Sequence, residues 1–244
     1  TADAVTVGRA DAGRSGGAVY NATLGTLSLV NTVVYSSTSG ADGGAIYNAG
    51  SLWLWNDTLV SNAAADAGGA VYDEGVQAVT VRNTAIVSNT ADAGGGFYRA
   101  TSVVPDADYN LYWGNDALQN PDRTFAAGSH DIAGDPAFAA PNAADYHLTL
   151  DSAALDTGDP ATVLTTDYEG DPRPSNFGFD IGADELRGCL ARVVDPATGE
   201  QVGEVYDGVQ QAVDAAADGD WVQLNGVCFG VSPVLSGGDT ITQT

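Results

Sequence analysis

With 244 residues, 44% of them hydrophobic, the chain can bury a sizeable core. Its formal net charge of −24, from 32 acidic residues against eight Arg and no Lys, excludes nucleic acid and anionic membranes as partners. No apolar run reaches the roughly 18 residues of a membrane span, and two cysteines are too few for a disulfide scaffold. A chain opening at Thr1 rather than Met reads as a segment processed or excised from something longer.

In chain order, the first elements repeat. Gly16-Gly17-Ala18-Val19-Tyr20-Asn21 is followed by Gly43-Gly44-Ala45-Ile46-Tyr47-Asn48, Gly68-Gly69-Ala70-Val71-Tyr72-Asp73 and Gly94-Gly95-Gly96-Phe97-Tyr98-Arg99, at steps of 27, 25 and 26 residues. A second marker ends in Asn: Leu27-Ser28-Leu29-Val30-Asn31, Leu52-Trp53-Leu54-Trp55-Asn56, Val79-Thr80-Val81-Arg82-Asn83, then Asn110. A third aligns Thr58-Leu59-Val60-Ser61-Asn62 with Ala85-Ile86-Val87-Ser88-Asn89. Each unit holds three short β-prone runs bounded by Gly, Asn, Asp or Ser, with no helical period. This predicts an all-β fold, a three-faced parallel β-helix of about 26 residues per coil, with equivalent strands pairing about 4.8 Å apart. Equivalent side chains then stack. Tyr20, Tyr47, Tyr72 and Tyr98 form an aromatic ladder, and Asn31, Asn56, Asn83 and Asn110 an inward amide ladder. If Leu52 and Leu54 face inward, Trp53 and Trp55 face outward, as a carbohydrate platform, a subunit contact or packing under a loop.

Beyond Tyr112 the pattern loosens. Residues 115–133 read as an irregular loop, and Tyr146-His147-Leu148-Thr149-Leu150 as a strand. Asn110-Leu111-Tyr112-Trp113-Gly114-Asn115, Gly134-Asp135-Pro136, the run Ser152 to Gly158, Asp171-Pro172-Arg173-Pro174 and Asp180-Ile181-Gly182-Ala183-Asp184-Glu185 follow. Together these motifs resemble the end of a bacterial surface β-helix family, the pectate-lyase-like, choice-of-anchor Q and polymorphic-outer-membrane-protein-like repeat proteins. The resemblance covers about residues 10–186. It implies a right-handed coil, secretion and a surface role, without a reaction. Residues 1–186 are therefore expected to be one parallel β-helix with irregular C-terminal coils.

Residues 187–244 differ in texture. A strand from Cys189 precedes a helical stripe of Tyr206, Val209, Val213 and Ala216, with Asp207 as N-cap and Gly219 as stop. Trp221-Val222-Gln223-Leu224 is a further strand. This strand–helix–strand segment resembles the N-terminal cap of a second β-helix, covering open strand edges. A disulfide between Cys189 and Cys228 fits an oxidising compartment; two unpaired buried thiols are the alternative. A cap without coils at one end and coils without a cap at the other suggest head-to-tail self-association, which makes a filament if its rotation does not close.

Chemistry is sparse. A polysaccharide lyase would need a base near calcium-holding carboxylates, and no Asp cluster accompanies Arg82 or Arg99 at coil spacing. Asp42, Asp66 and Asp92 each precede Gly-Gly, so turn chemistry accounts for them. His130 and His147 stand apart from any nucleophile motif and read as surface histidines. Asp167, Asp171, Asp180 and Asp184, with Glu169 and Glu185, are candidate Ca²⁺ ligands without the EF-hand spacing. The triplets at Asn21 and Asn56 resemble glycosylation sites, with Asn56 placed inward. The expected function is an extracellular or cell-surface structural or adhesive module without enzyme activity or an obligate cofactor. The alternative is a carbohydrate-binding or polysaccharide-processing protein.

Overall fold

The computed structural model describes residues 2–3, 5–75, 77–101, 105–117 and 128–225. It is a parallel β-solenoid of about four turns with about 26 residues per turn. Each coil visits four strips of strand rather than the three expected. The first strip, a tryptophan sheet, runs Ala2–Asp3, Thr26–Val30, Ser51–Trp55, Val79–Arg82 and Asp106–Asp108. The valine sheet follows, with Thr6–Gly8, Val33–Tyr35, Thr58–Val60, Ala85–Val87, Leu111–Trp113 and Ile132–Ala133. A two-residue strip comes next, including Thr38–Ser39, Ala63–Ala64 and Thr90–Ala91. The coil closes through the tyrosine sheet, Val19–Asn21, Ile46–Asn48, Val71–Asp73 and Phe97–Arg99. The two-residue strip was hidden because so short a strand carries no alternation to read.

The corners explain the markers. Asn31, Asn56 and Asn83 have φ of 50°, 53° and 50°, the left-handed conformation that Asn tolerates better than most residues. Ser36, Ser61 and Ser88 turn the next corner at φ of 47°, 55° and 52°. Gly16, Gly43, Gly68 and Gly94 take the third, at φ of 78°, 69°, 69° and 57°. The second glycine of each pair serves another purpose. A Cβ on Gly44 would overlap the carbonyl oxygen of Gly69, and one on Gly69 that of Gly95, because neighbouring coils touch there through backbone alone.

Inside the coil, Leu29, Val34, Ile46, Leu52, Leu54, Leu59, Val71, Val81, Ile86 and Phe97 form one apolar column at 0–3% exposure. Its burial supplies the main driving force for stacking. The tyrosine ladder is present and faces outward. Successive rings lie 4.8, 5.2 and 5.4 Å apart and within 12° of parallel. Beside it, facing inward, Asn21 Nδ2 donates to Asn48 Oδ1 at 2.6 Å and Asn48 Nδ2 to Asp73 Oδ1 at 2.6 Å. Arg99 Nε ends this row 3.1 Å from Asp73 Oδ2.

The amide ladder needs correction. Asn31, Asn56 and Asn83 share a corner, but only Asn83 Nδ2 reaches Asn56 Oδ1, at 3.4 Å. Asn31 instead donates to the Thr166 carbonyl, and Asn83 to Thr162 Oγ1. Asn110 is not in that register. It aligns with Thr84, whose N–H its Oδ1 accepts at 3.0 Å, and Tyr109 occupies the corner at φ 57°. The continuous ladder is Asn62–Asn89–Asn115, each amide donating to the next Oδ1 at 3.0 Å. It follows the serine corners, where the sequence reading saw a repeat but assigned no stack.

Residues 134–186 add no further coils. They return along the outside of the valine sheet, laying Tyr146, Leu148, Ala154, Ile181 and Ala183 on Val33, Val60, Ala85, Val87 and Leu111. That sheet is therefore buried on both faces, which is why Thr58–Val60 and Ala85–Val87 do not alternate in burial. Gly182 N–H donates to the Asn83 carbonyl at 2.8 Å, and Ala183 N–H to Thr58 Oγ1 at 3.0 Å. The strand expected at 146–150 is not formed: these residues join no ladder.

The remaining unit is an antiparallel sheet of Leu190–Val194 between Gln201–Tyr206 and Trp221–Asn225, with one helix, Val209–Ala215. Of the expected stripe only Val209 is buried within the helix; Tyr206 ends the preceding strand, Val213 is half-buried, Ala216 is the C-cap, Ala212 is the second buried helix residue, and Gly208, not Asp207, is the N-cap. The unit meets the return segment where the Arg192 guanidinium lies 4.1 Å over the Phe177 ring. Cys189 is in a disulfide, and Cys228 lies outside the described residues.

Candidate functional site

The return segment gathers most of the acidic residues that the sequence reading flagged, and uses them largely on its own backbone. Asp167 Oδ1 accepts from the N–H of Glu169 at 2.9 Å and of Asp171 at 2.8 Å, and its Oδ2 from Glu185 N–H at 3.2 Å. Asp180 accepts from Asp156 N–H at 2.7 Å and Leu186 N–H at 2.8 Å. Glu185 meets the buried Arg173 guanidinium at 2.8 Å, while Arg173 Nη2 donates to the carbonyls of Gly182 and Ala183 at 2.7 and 2.6 Å. Asp171 pairs with Arg187 at 2.5 Å. Burial, and then the charge of Glu185, push the Asp180 carboxyl well above its usual range. These carboxylates hold an irregular chain in place where no strand ladder can satisfy its N–H groups. The candidate set Asp167, Asp171, Asp180 and Asp184 is thus dispersed, and only Asp184 joins a ligand cluster.

That cluster consists of His147, Glu169 and Asp184, whose ligand atoms all lie within 4.8 Å of one another. His147 Nε2 is 2.7 Å from Glu169 Oε2 and 3.1 Å from the Tyr168 hydroxyl, and Nδ1 is 2.5 Å from Asp145 Oδ1. Asp184 is 5% exposed and accepts Leu148 N–H through Oδ2 at 2.7 Å. Burial lowers the basicity of His147, but the bonds to Glu169 and Asp145 outweigh it and raise the pKa to about 9. Burial raises Asp184 to about 6 against the opposing Leu148 N–H and His147. The reading of His147 as a plain surface histidine missed this, because Glu169 and Asp184 reach it only through the folding back of the chain. The one local signal was Asp145, two residues before His147.

His130 does not form a triad. Asp108 Oδ2 and Ser129 Oγ both approach the same Nδ1, at 2.9 and 3.1 Å, so no proton can pass from one through the ring to the other. Each array arginine does meet an aspartate one coil away, contrary to the sequence reading. Arg82 pairs with Asp106 at 2.7 Å and Asp108 at 3.8 Å, and Arg99 with Asp73. Arg99 and Asp73 are sealed inside the coil, away from any polymeric substrate. Asn21 and Asn56 are buried, out of reach of a glycan.

Other polar and aromatic features lie on the outside. Trp53 and Trp55 point outward, half-buried, beside Ser28 and Thr80 and beside Val30 and Arg82 in the flanking coils. Trp113, 44% exposed, was not singled out from the sequence. An open pocket of about 480 Å³ is lined by Tyr109, Pro160, Phe177, Phe179 and Asp156 among others. No family model, curated protein or solved structure matches the chain.

Proposed function

We propose that the chain is an extracellular structural or adhesive β-helix module that makes contacts through its outer aromatic faces. The observation that carries this reading is the outward tyrosine stack. Tyr20, Tyr47, Tyr72 and Tyr98 cover one another's ring faces, leaving ring edges and hydroxyls in a row at steps of 4.8 to 5.4 Å. Rings fixed in this way lose little rotamer freedom on binding, and tyrosine suits contact surfaces with one apolar and one wet end. The disulfide at Cys189 and the strongly acidic surface support an oxidising, external setting. Copies joined end to end would extend the ladders by the same steps.

Sedimentation velocity over a wide concentration range, and retention on cell-envelope material, test the proposal in wild type and in the double variant Tyr47→Ser/Tyr72→Ser. Association or retention that the variant loses supports it. A monomer at every concentration with no retention removes it.

Carbohydrate binding has an observation of its own, the pocket of Tyr109, Phe177, Phe179 and Asp156, whose aromatic walls and single carboxylate suit a sugar ring. Glycan-array binding lost in Phe179→Ala would favour that reading. Release of reducing ends from polyuronides would make the protein an enzyme instead.

A further inference from the structure

We propose that His147, Glu169 and Asp184 form a binding site for one divalent first-row transition ion of the Zn²⁺ kind, with Asp145 as a positioning residue. The site goes beyond the adhesive reading and does not depend on it.

Four observations converge. The three ligand atoms come from separate stretches of the return segment and lie within 4.8 Å of one another. A tetrahedral Zn²⁺ with bonds of about 2.0–2.2 Å holds its ligands about 3.4 Å apart. Glu169, with its side chain 47% exposed, is free to close or open that gap. Second, the imidazole is oriented. Asp145 holds Nδ1 at 2.5 Å, the outer-shell carboxylate that fixes the tautomer of a metal-bound histidine and turns Nε2 toward the ion. Third, Asp184 is 5% exposed and is held in place by Leu148 N–H, which donates to its Oδ2 at 2.7 Å. A carboxylate fixed in this way beside a histidine and a glutamate is placed to take a cation. Fourth, the dispersed acidic residues around it are already committed to backbone N–H groups or to arginine, so they do not compete for the ion.

The donor set selects the class of ion. One imidazole nitrogen with two carboxylates suits Zn²⁺ and its neighbours, whereas Ca²⁺ asks for six to eight oxygens. The ion takes the place of the proton that Nε2 shares with Glu169, and that proton is released. Three protein ligands leave a fourth position, adjacent to the Tyr168 hydroxyl, for water.

The test is isothermal titration of the full chain, stripped with chelator, with ZnCl₂ and separately with CaCl₂, alongside melting curves. Wild type is expected to bind one equivalent of Zn²⁺ and to melt higher with it, and to show no such site for Ca²⁺. His147→Ala and Glu169→Gln should abolish the event, and His130→Ala should keep it. Asp145→Asn should weaken Zn²⁺ by about 10–100-fold while its metal-free melting temperature stays near wild type. A Co²⁺ absorption spectrum lost in His147→Ala would report imidazole ligation directly. Zn²⁺ binding that His147→Ala leaves intact would overturn the proposal as diffuse uptake by an acidic surface. So would the absence of any stoichiometric event, which would leave His147 as an ion-paired surface histidine.

Discussion

Asp73 and Arg99 stand in the inward row beside the tyrosines, each at most 3% exposed, at positions where the two preceding coils carry Asn48 and Asn21. Their charges rest on each other, and removing one leaves the other buried and unpaired. Arg99→Met is therefore expected to cost about 3–5 kcal/mol in chemical denaturation. The double variant Asp73→Asn/Arg99→Met, which continues the amide row, should recover most of that loss. The buried carboxylates also set a pH dependence. Desolvation raises Asp73 and Asp156, and raises Asp180 further. A raised folded-state pKa means that the folded protein holds the proton more tightly than the unfolded chain. The associated stability is full below about pH 4, the ordinary range for Asp, and is lost as pH rises through the raised values. The melting temperature should accordingly increase when pH is lowered from 7.5 to 5; a decrease over that interval would contradict the assignment. Little of this was legible beforehand. Residue types show that Asp73 follows a tyrosine, but not that a coil neighbour supplies its counter-charge.

At the scale of the element, corners and ladders carry different residues for different reasons. The Gly-Gly pair is one device with two parts, a left-handed turn at Gly43 and a backbone contact at Gly44. Gly44→Ala is expected to destabilise by about 3 kcal/mol or more, since backbone atoms of Ala63 and Gly69 would have to move apart. Gly13→Ala, with nothing within 4 Å of the added carbon, should leave the melting temperature within a degree or two of wild type. Asn89 tests the amide ladder. Its Oδ1 accepts from the Asn62 N–H and side chain, and its Nδ2 donates to the Leu59 carbonyl. Asn89→Ala strands several buried groups at about 1–3 kcal/mol each, a larger loss than any surface substitution produces. The tyrosine ladder was readable because one residue type recurs at a visible position. The amide ladder was misplaced by one corner because Asn marks two corners per coil, as a turn former in one and as a hydrogen-bonded stack in the other. Only the drift at Tyr109-Asn110 separates them.

At the scale of the molecule, the return segment decides how the solenoid behaves. Stacked coils alone would open in steps from either end, since each touches only its neighbours. Here residues 146–183 lie across coils from Val33 to Leu111 and add a second apolar cluster outside the first. Ile181, fully buried against that sheet, should cost about 2–5 kcal/mol as Ile181→Ala. Circular dichroism and tryptophan fluorescence should follow one shared transition in wild type; separate transitions would show that the segment is not integral. The sequence signals were strong for the coils, which repeat, and weak for this segment, which does not. Its terminal motif was recognisable, but its position depended on Thr58 and Asn83, well over 70 residues earlier in the chain.

That separation has a consequence in time. The outer side of the valine sheet is made early in synthesis, and the chain that covers it emerges later, 125 residues on in the case of Thr58 and Ala183. Until then Val33, Val60 and Val87 present a wet, sticky surface on an otherwise finished coil. Contacts so distant along the chain slow folding, and an exposed apolar sheet in the interval invites the wrong partner. A newly made chain is therefore most vulnerable until residues 146–183 arrive, and chaperones have that interval to shield it.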